Sequence, residues 1–151
     1  MLIKPPHLRR MISEENDSLL KYNYSGEVKV SGYEFVLGTP RKPGNISNAF
    51  FSVLESGKDD TNALDIEVDI KINGTSCLTT KPKIAHTSGE DSEQRTTITD
   101  EDDGVTIAVI DGDANAYEPG DIITGKWTLT RTATPTTEIQ HVCVVVELMP
   151  D

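Results

Sequence analysis

At 151 residues, 36% of them hydrophobic, the chain has the size of one domain and material for one core. Its net charge of −11 is unevenly placed: Lys4, Arg9 and Arg10 give the first ten residues +3, leaving −14 for residues 11–151. An acidic body excludes a groove for nucleic acid, whose phosphates need the opposite field, and no run of about 18 apolar residues is present to span a membrane.

The start, MLIKPPHLRRMISEEN, holds no apolar core of signal-peptide length, an expectation against export by that route. Its basic, proline-containing character suits an arm docked on an acidic partner or, equally, a frayed tail. Ser13 is placed to cap a short helix through Leu20, with Glu14 and Glu15 in its first turn. Residues 1–25 are therefore assigned to an irregular N-terminal arm and 26–151 to one folded domain.

From Glu27 the pattern becomes β. Val28 and Val30 share one parity and Tyr33, Phe35 and Leu37 the other, so a bulge near Ser31-Gly32 would place both sets in one core. Thr39 to Gly44, with two prolines, is a turn-rich loop. A strand follows at Ala49–Leu54 with Phe51 and Val53 on one side, then a polar connection from Ser56 to Asn62.

Leu64, Ile66, Val68, Ile70 and Ile72 alternate with Asp65, Glu67, Asp69 and Lys71, which predicts a strand with one dry face and one wet, acidic face. Asn73-Gly74 supplies the two positive-φ residues of a tight hairpin turn, with a short partner strand through Cys77 and Leu78. Ile84 to Gln94 reads as loop, Arg95–Thr99 as β-prone and 100–104 as an interruption. Val105, Ile107 and Val109 alternate again.

After a turn at 117–121, the strand 122–132 directs Ile123, Trp127 and Leu129 inward. The last strand, Ile139–Leu148, puts Val142, Val144, Val146 and Leu148 on one face. Its other face, Ile139, His141, Cys143 and Val145, is also largely apolar, which points to a subunit interface there. Seven or eight short antiparallel strands with regular turn signals predict an all-β, single-domain β-sandwich or jelly roll.

Candidate chemistry is sparse. Asp111, Asp113 and Asn115 have the opening spacing of a calcium loop, but Ala116 and Ile122 stand where such a loop needs Gly and Glu. A weak site shared with Glu118 or Asp121 stays open, and Asp100 to Asp103 is a solvated acidic run. His7, His86 and His141 lack ligand spacing; Cys77 and Cys143 read as buried thiols rather than a disulfide. No nucleophile elbow or phosphate loop occurs, so neither an enzyme nor a cofactor is expected.

The run from Asp65 to Thr75, then Thr79-Thr80-Lys81-Pro82-Lys83-Ile84, resembles a pattern in virion proteins of tailed bacteriophages: an alternating strand ending in Asn-Gly, a short strand and a Pro-containing step. Tyr117 to Ile123 and Val142 to Leu148 match the later order of that pattern, so the likeness spans roughly Ala49 to Leu148. Such modules are β-sandwiches or jelly rolls of capsid decoration (cement) proteins, head fibres and tail proteins, commonly trimeric and without catalysis. The resemblance implies a homotrimer on the capsid exterior of a virion assembled in the host cytoplasm. The major capsid protein is then the partner; residues 1–25 depart from the pattern, and their short basic extension suits an arm that latches onto the shell, with Lys4, Arg9 and Arg10 as its anchor. The alternative is a tail or head-fibre module that binds a receptor or glycan.

Overall fold

The computed structural model describes residues 18–151 and has thirteen strands and no helix among them. In chain order these are β1 (Leu19–Val28), β2 (Glu34–Gly38), β3 (Gly44–Glu55), β4 (Leu64–Ile72), β5 (Thr75–Ser76), β6 (Leu78–Thr80) and β7 (Lys83–Ala85). They continue with β8 (Arg95–Thr96), β9 (Val105–Thr106), β10 (Val109–Ile110), β11 (Ala116–Tyr117), β12 (Ile123–Arg131) and β13 (Ile139–Pro150). One sheet runs β1–β13–β3–β11, with β8 also paired to β3; the other runs β2–β12–β4–β7–β9, with β5 on β4. The strands pair antiparallel, and β6 and β10 form a separate ribbon. The fold is a β-sandwich.

Its core follows from period-two patterning. Leu64, Ile66, Val68, Ile70 and Ile72 of β4 are all buried, beside Ile123, Trp127 and Leu129 of β12. Facing them are Phe51 and Val53 of β3 and Val142, Val144 and Val146 of β13. Each such aliphatic side chain stabilises the fold by about 1.5–3 kcal/mol. Asn73 (φ +48°) and Gly74 (φ +84°) close the β4–β5 hairpin as a two-residue turn between Ile72 and Thr75. The polar face of β4 is less wet than its pattern suggests. Asp69 is buried, accepting the Ser76 hydroxyl at 2.6 Å beside Lys81, and Asp65 lies 3.7 Å from Lys83.

Several expectations need correction. Within the 1–25 arm, residues 19–25 belong to β1, the sheet edge paired with β13, and Leu19 and Leu20 are extended rather than helical. Leu20, Tyr22 and Tyr24 turn toward the core while Lys21, Asn23 and Ser25 turn out. No bulge joins Val28 to Phe35. The chain leaves one sheet at Val28, turns through Gly32 (φ +82°), and enters the other at Glu34; Val30 is left 71% exposed. Ile84, assigned to a loop, is buried in β7 between β4 and β9. Ile107 and Val109 are exposed rather than core-facing.

Tyr22, Tyr24, Tyr33, Phe35 and Trp127 gather where β1 and β2 meet. Tyr22 stacks on Phe35 with centroids 4.1 Å apart, Tyr24 meets Trp127 edge-on at 5.1 Å, and Tyr33 covers Trp127 at 4.6 Å. This cluster seals one open edge between the sheets.

Candidate interaction surface on the outer sheet face

β13 carries two opposed faces, but their membership differs from simple alternation. His141 adopts φ +54°, and the β1–β13 register shifts opposite it, between Tyr24 and Glu27. The extra residue lies in β1, where Ser25 and Gly26 stand opposite His141 alone, while β13 keeps its register with β3. The left-handed turn of His141 accompanies a change of parity within β13, and Ile139 is fully buried in the core with Val142, Val144 and Val146. Ile139 is thus core, not interface. Cys143 and Val145 do lie on the outer face; Cys143 is half-buried, Val145 buried and His141 exposed. Lys4, Arg9 and Arg10 lie outside the described residues.

Register assembles the outer face. Lys21 of β1, Val145 and Phe50 of β3 form one row; Asn23, Cys143, Ser52 and Thr96 of β8 form the next. Beyond this second row a shallow groove of about 460 Å³ opens, its lining including Ser52, Leu54, Arg95, Asp102, His141 and Cys143. Leu54 is 46% exposed and Ile98 on the adjoining turn 50%. The face is therefore apolar in its middle and polar at its rim.

One wall is built around Arg95, whose side chain is only 5% exposed. Its guanidinium lies 3.0 Å from Glu93, 3.4 Å from Glu90 and 3.4 Å from Asp102, and its Nε donates to the Ser56 hydroxyl at 3.3 Å. Three carboxylates surround one guanidinium, and of these groups Arg95 and Asp102 line the groove. The same cluster ties the loops after β3, before β8 and after β8 together. Lys58 adds a bond to Asp91 at 2.9 Å, and Gly57 donates its amide to the Ser92 hydroxyl at 2.9 Å. Asp102, part of the expected solvated acidic run, thus has a structural partner.

The cysteines differ. Burial, reinforced by the neighbouring Asp69 carboxylate, pushes the Cys77 thiol up to about 12, so it stays protonated and inert. Both thiols are free, as expected, but only Cys77 is buried.

The calcium-like spacing resolves into turn chemistry. Asp111 accepts the Asp113 amide at 3.0 Å, Asp121 accepts the Glu118 amide at 2.9 Å, and the Asn115 side chain donates to the Ile46 carbonyl at 2.9 Å. Among the described residues no group of three or more His, Cys, Asp or Glu side chains is arranged to hold a metal ion. His86 instead meets Asp60 at 3.0 Å, clasping two loops.

Arg95, Ser52 and Leu54 were missed as surface-forming residues because β8 and β3 meet through pairings about 44 residues apart in sequence, which no local pattern signals. In comparisons with known proteins, the chain matches no family model and shows no significant similarity to a curated protein.

Proposed function

We propose that this chain is a non-enzymatic capsid decoration protein of a tailed-bacteriophage virion, binding the outer surface of the major capsid protein and self-associating as a homotrimer. The observation that carries this reading is the outer face of the β1–β13–β3 sheet, where half-buried Phe50 and Cys143 and exposed Leu54 form an apolar strip on an otherwise acidic body. Contiguous apolar surface of this kind marks protein contact. The resemblance of residues 49–148 supplies the class of partner.

The mechanism is mechanical. A protein that binds only the assembled shell stabilises it by mass action, in proportion to the logarithm of its free concentration over its dissociation constant. Lys4, Arg9 and Arg10 supply the charge that the body lacks for contact with an acidic shell. The test is co-sedimentation of the purified protein with undecorated capsids, followed by heating. Binding that raises the temperature of capsid disruption, and that Lys4→Glu/Arg9→Glu/Arg10→Glu weakens at least tenfold, supports the reading. Failure to bind any capsid overturns it.

A second reading, a receptor- or glycan-binding tail module, is favoured by the small recess at the turn after β1, where Tyr24, Tyr33 and Trp127 meet Glu27 and Lys29. Only Tyr33, 37% exposed, presents much ring surface there. Glycan-array binding lost on Tyr33→Ala would replace the first reading with this one.

A further inference from the structure

We propose that Asn73 is a site of slow covalent modification, deamidation to aspartate or isoaspartate, and that its contact with Asp121 and Ile122 gates the reaction. Asn73 is the only asparagine in the chain followed by glycine. Both residues are exposed and hold positive φ, and a Cβ added at Gly74 would meet nothing within 4 Å. No side chain therefore shields the Gly74 nitrogen, and water has access to the turn. Once a base has taken its proton, that nitrogen can attack Cγ of Asn73. The new C–N bond closes a succinimide ring, and the side-chain nitrogen takes up a proton and leaves as ammonia. Water then adds to either ring carbonyl and breaks its C–N bond, leaving aspartate or isoaspartate. The sum is one water consumed and one ammonia released, with no oxidation or reduction.

The fold holds the reactive carboxamide by both ends. The Ile122 amide donates to its Oδ1 at 2.9 Å, which fixes the oxygen; its Nδ2 therefore faces Asp121 and donates to that carboxylate at 2.9 Å. The Asn73 amide completes the clasp by donating to the Ile122 carbonyl at 2.9 Å. Ring closure must swing Cγ onto the following backbone nitrogen, and that rotation breaks both side-chain bonds. The rate then follows the small population in which the clasp is open. Conversion also destroys the clasp. A carboxylate at residue 73 still accepts the Ile122 amide, but it sets an oxygen against Asp121, whose carboxylate also accepts the Glu118 amide at 2.9 Å. Like charges so placed repel. Isoaspartate also lengthens the backbone inside a two-residue turn. What loosens is the corner where Ile72 of β4 pairs with Ile123 of β12, both core residues.

This inference does not rest on the proposed function, and it is tested on the isolated full-length protein with no capsid present. The chain is incubated in mildly alkaline buffer, and conversion is followed by an acidic shift on ion exchange and by peptide mapping that separates aspartate from isoaspartate. Asp121→Asn keeps an oxygen for the Glu118 amide but sets a second amide nitrogen against that of Asn73. It should speed conversion at Asn73 about tenfold, the open population gained when one charge-assisted hydrogen bond is lost. Asp60→Asn, which alters a turn carboxylate bonded to His86 and Gly89 instead, should leave the rate within about twofold of the parent. Asn73→Asp, a stand-in for the product, should melt below the parent, and Asn73→Asp/Asp121→Asn should recover that loss by restoring a donor to the carboxylate. Equal rates in the parent and Asp121→Asn, or the same gain in Asp60→Asn, overturn the gate. Asn73 left unconverted in every chain overturns the site, and a double variant no more stable than Asn73→Asp overturns the pairing with Asp121.

Discussion

Gly26 donates its amide hydrogen to Nδ1 of His141 at 3.1 Å, across the step where β1 and β13 change register. His141 therefore holds a left-handed conformation that costs an L residue about 1–2 kcal/mol, and the bond returns about as much. His141→Gly removes strain and bond together, and its stability should stay within about 1 kcal/mol of the parent. His141→Val, β-branched at positive φ, should lose about 2 kcal/mol or more. A regular strand gives the reverse order, so two denaturant titrations distinguish the cases.

Ile139 sits in the core behind that step. Ile139→Ala should destabilise the fold by about 2–5 kcal/mol, the range for emptying a buried aliphatic site. The loss should be the same at protein concentrations differing tenfold. A loss that shrinks with concentration would return Ile139 to a subunit interface.

Gly104 closes the loop after the acidic run. It holds φ +79°, and an added Cβ would lie 2.2 Å from the Ala85 carbonyl oxygen, while the Ala85 amide donates to the Gly104 carbonyl at 3.0 Å. Gly104→Ala should cost about 2 kcal/mol or more, because neither the backbone angle nor the neighbouring backbone can give way cheaply. Gly112→Ala, facing open space, is the matched control and should be nearly silent.

Acid should unfold the protein through three turn carboxylates. The Gly89 amide and then His86 hold Asp60 below the ordinary aspartate value, and the Glu118 amide and the Asn73 side chain do the same for Asp121. Burial pushes Asp59 upward, but four hydrogen bonds from Thr61 and Asn62 outweigh it and leave Asp59 lowered too. The unfolded chain takes up these protons first as pH falls. The stability they contribute is therefore complete above about pH 4 and is lost as pH drops through the depressed native values. Melting temperature recorded from pH 5 down to 2 should fall, and Asp60→Asn should flatten that slope. An unchanged slope would remove Asp60 from the account.

What the sequence made legible depends on whether backbone alternation ran unbroken. β4 and its Asn73-Gly74 turn were readable because nine residues kept one period and the turn needs particular residue types. β13 was readable as a strand, but its faces were not, because a histidine in the left-handed region carries none of the marks a glycine would. β1 had a weak signal in Leu20, Tyr22 and Tyr24; it lies at a sheet edge with those side chains only half-buried, so its pattern is diluted. The groove was invisible for a different cause. It is made of parts of β3, β8 and β13, and only tertiary pairing brings Ser52, Arg95 and Cys143 together.

The placement of β13 between β1 and β3 has a consequence for biosynthesis. The strand that both long neighbours need is translated after them, so until it leaves the ribosome β1 and β3 each present an open hydrogen-bonding edge backed by apolar side chains. Pairing between strands so far apart in sequence is slow to find, and open edges invite association between nascent chains. A chain stalled or cleaved before Ile139 should therefore accumulate in inclusion bodies rather than as a partly folded monomer, which makes insertion of the twelve-residue β13 between β1 and β3 the step that commits this domain to its native state.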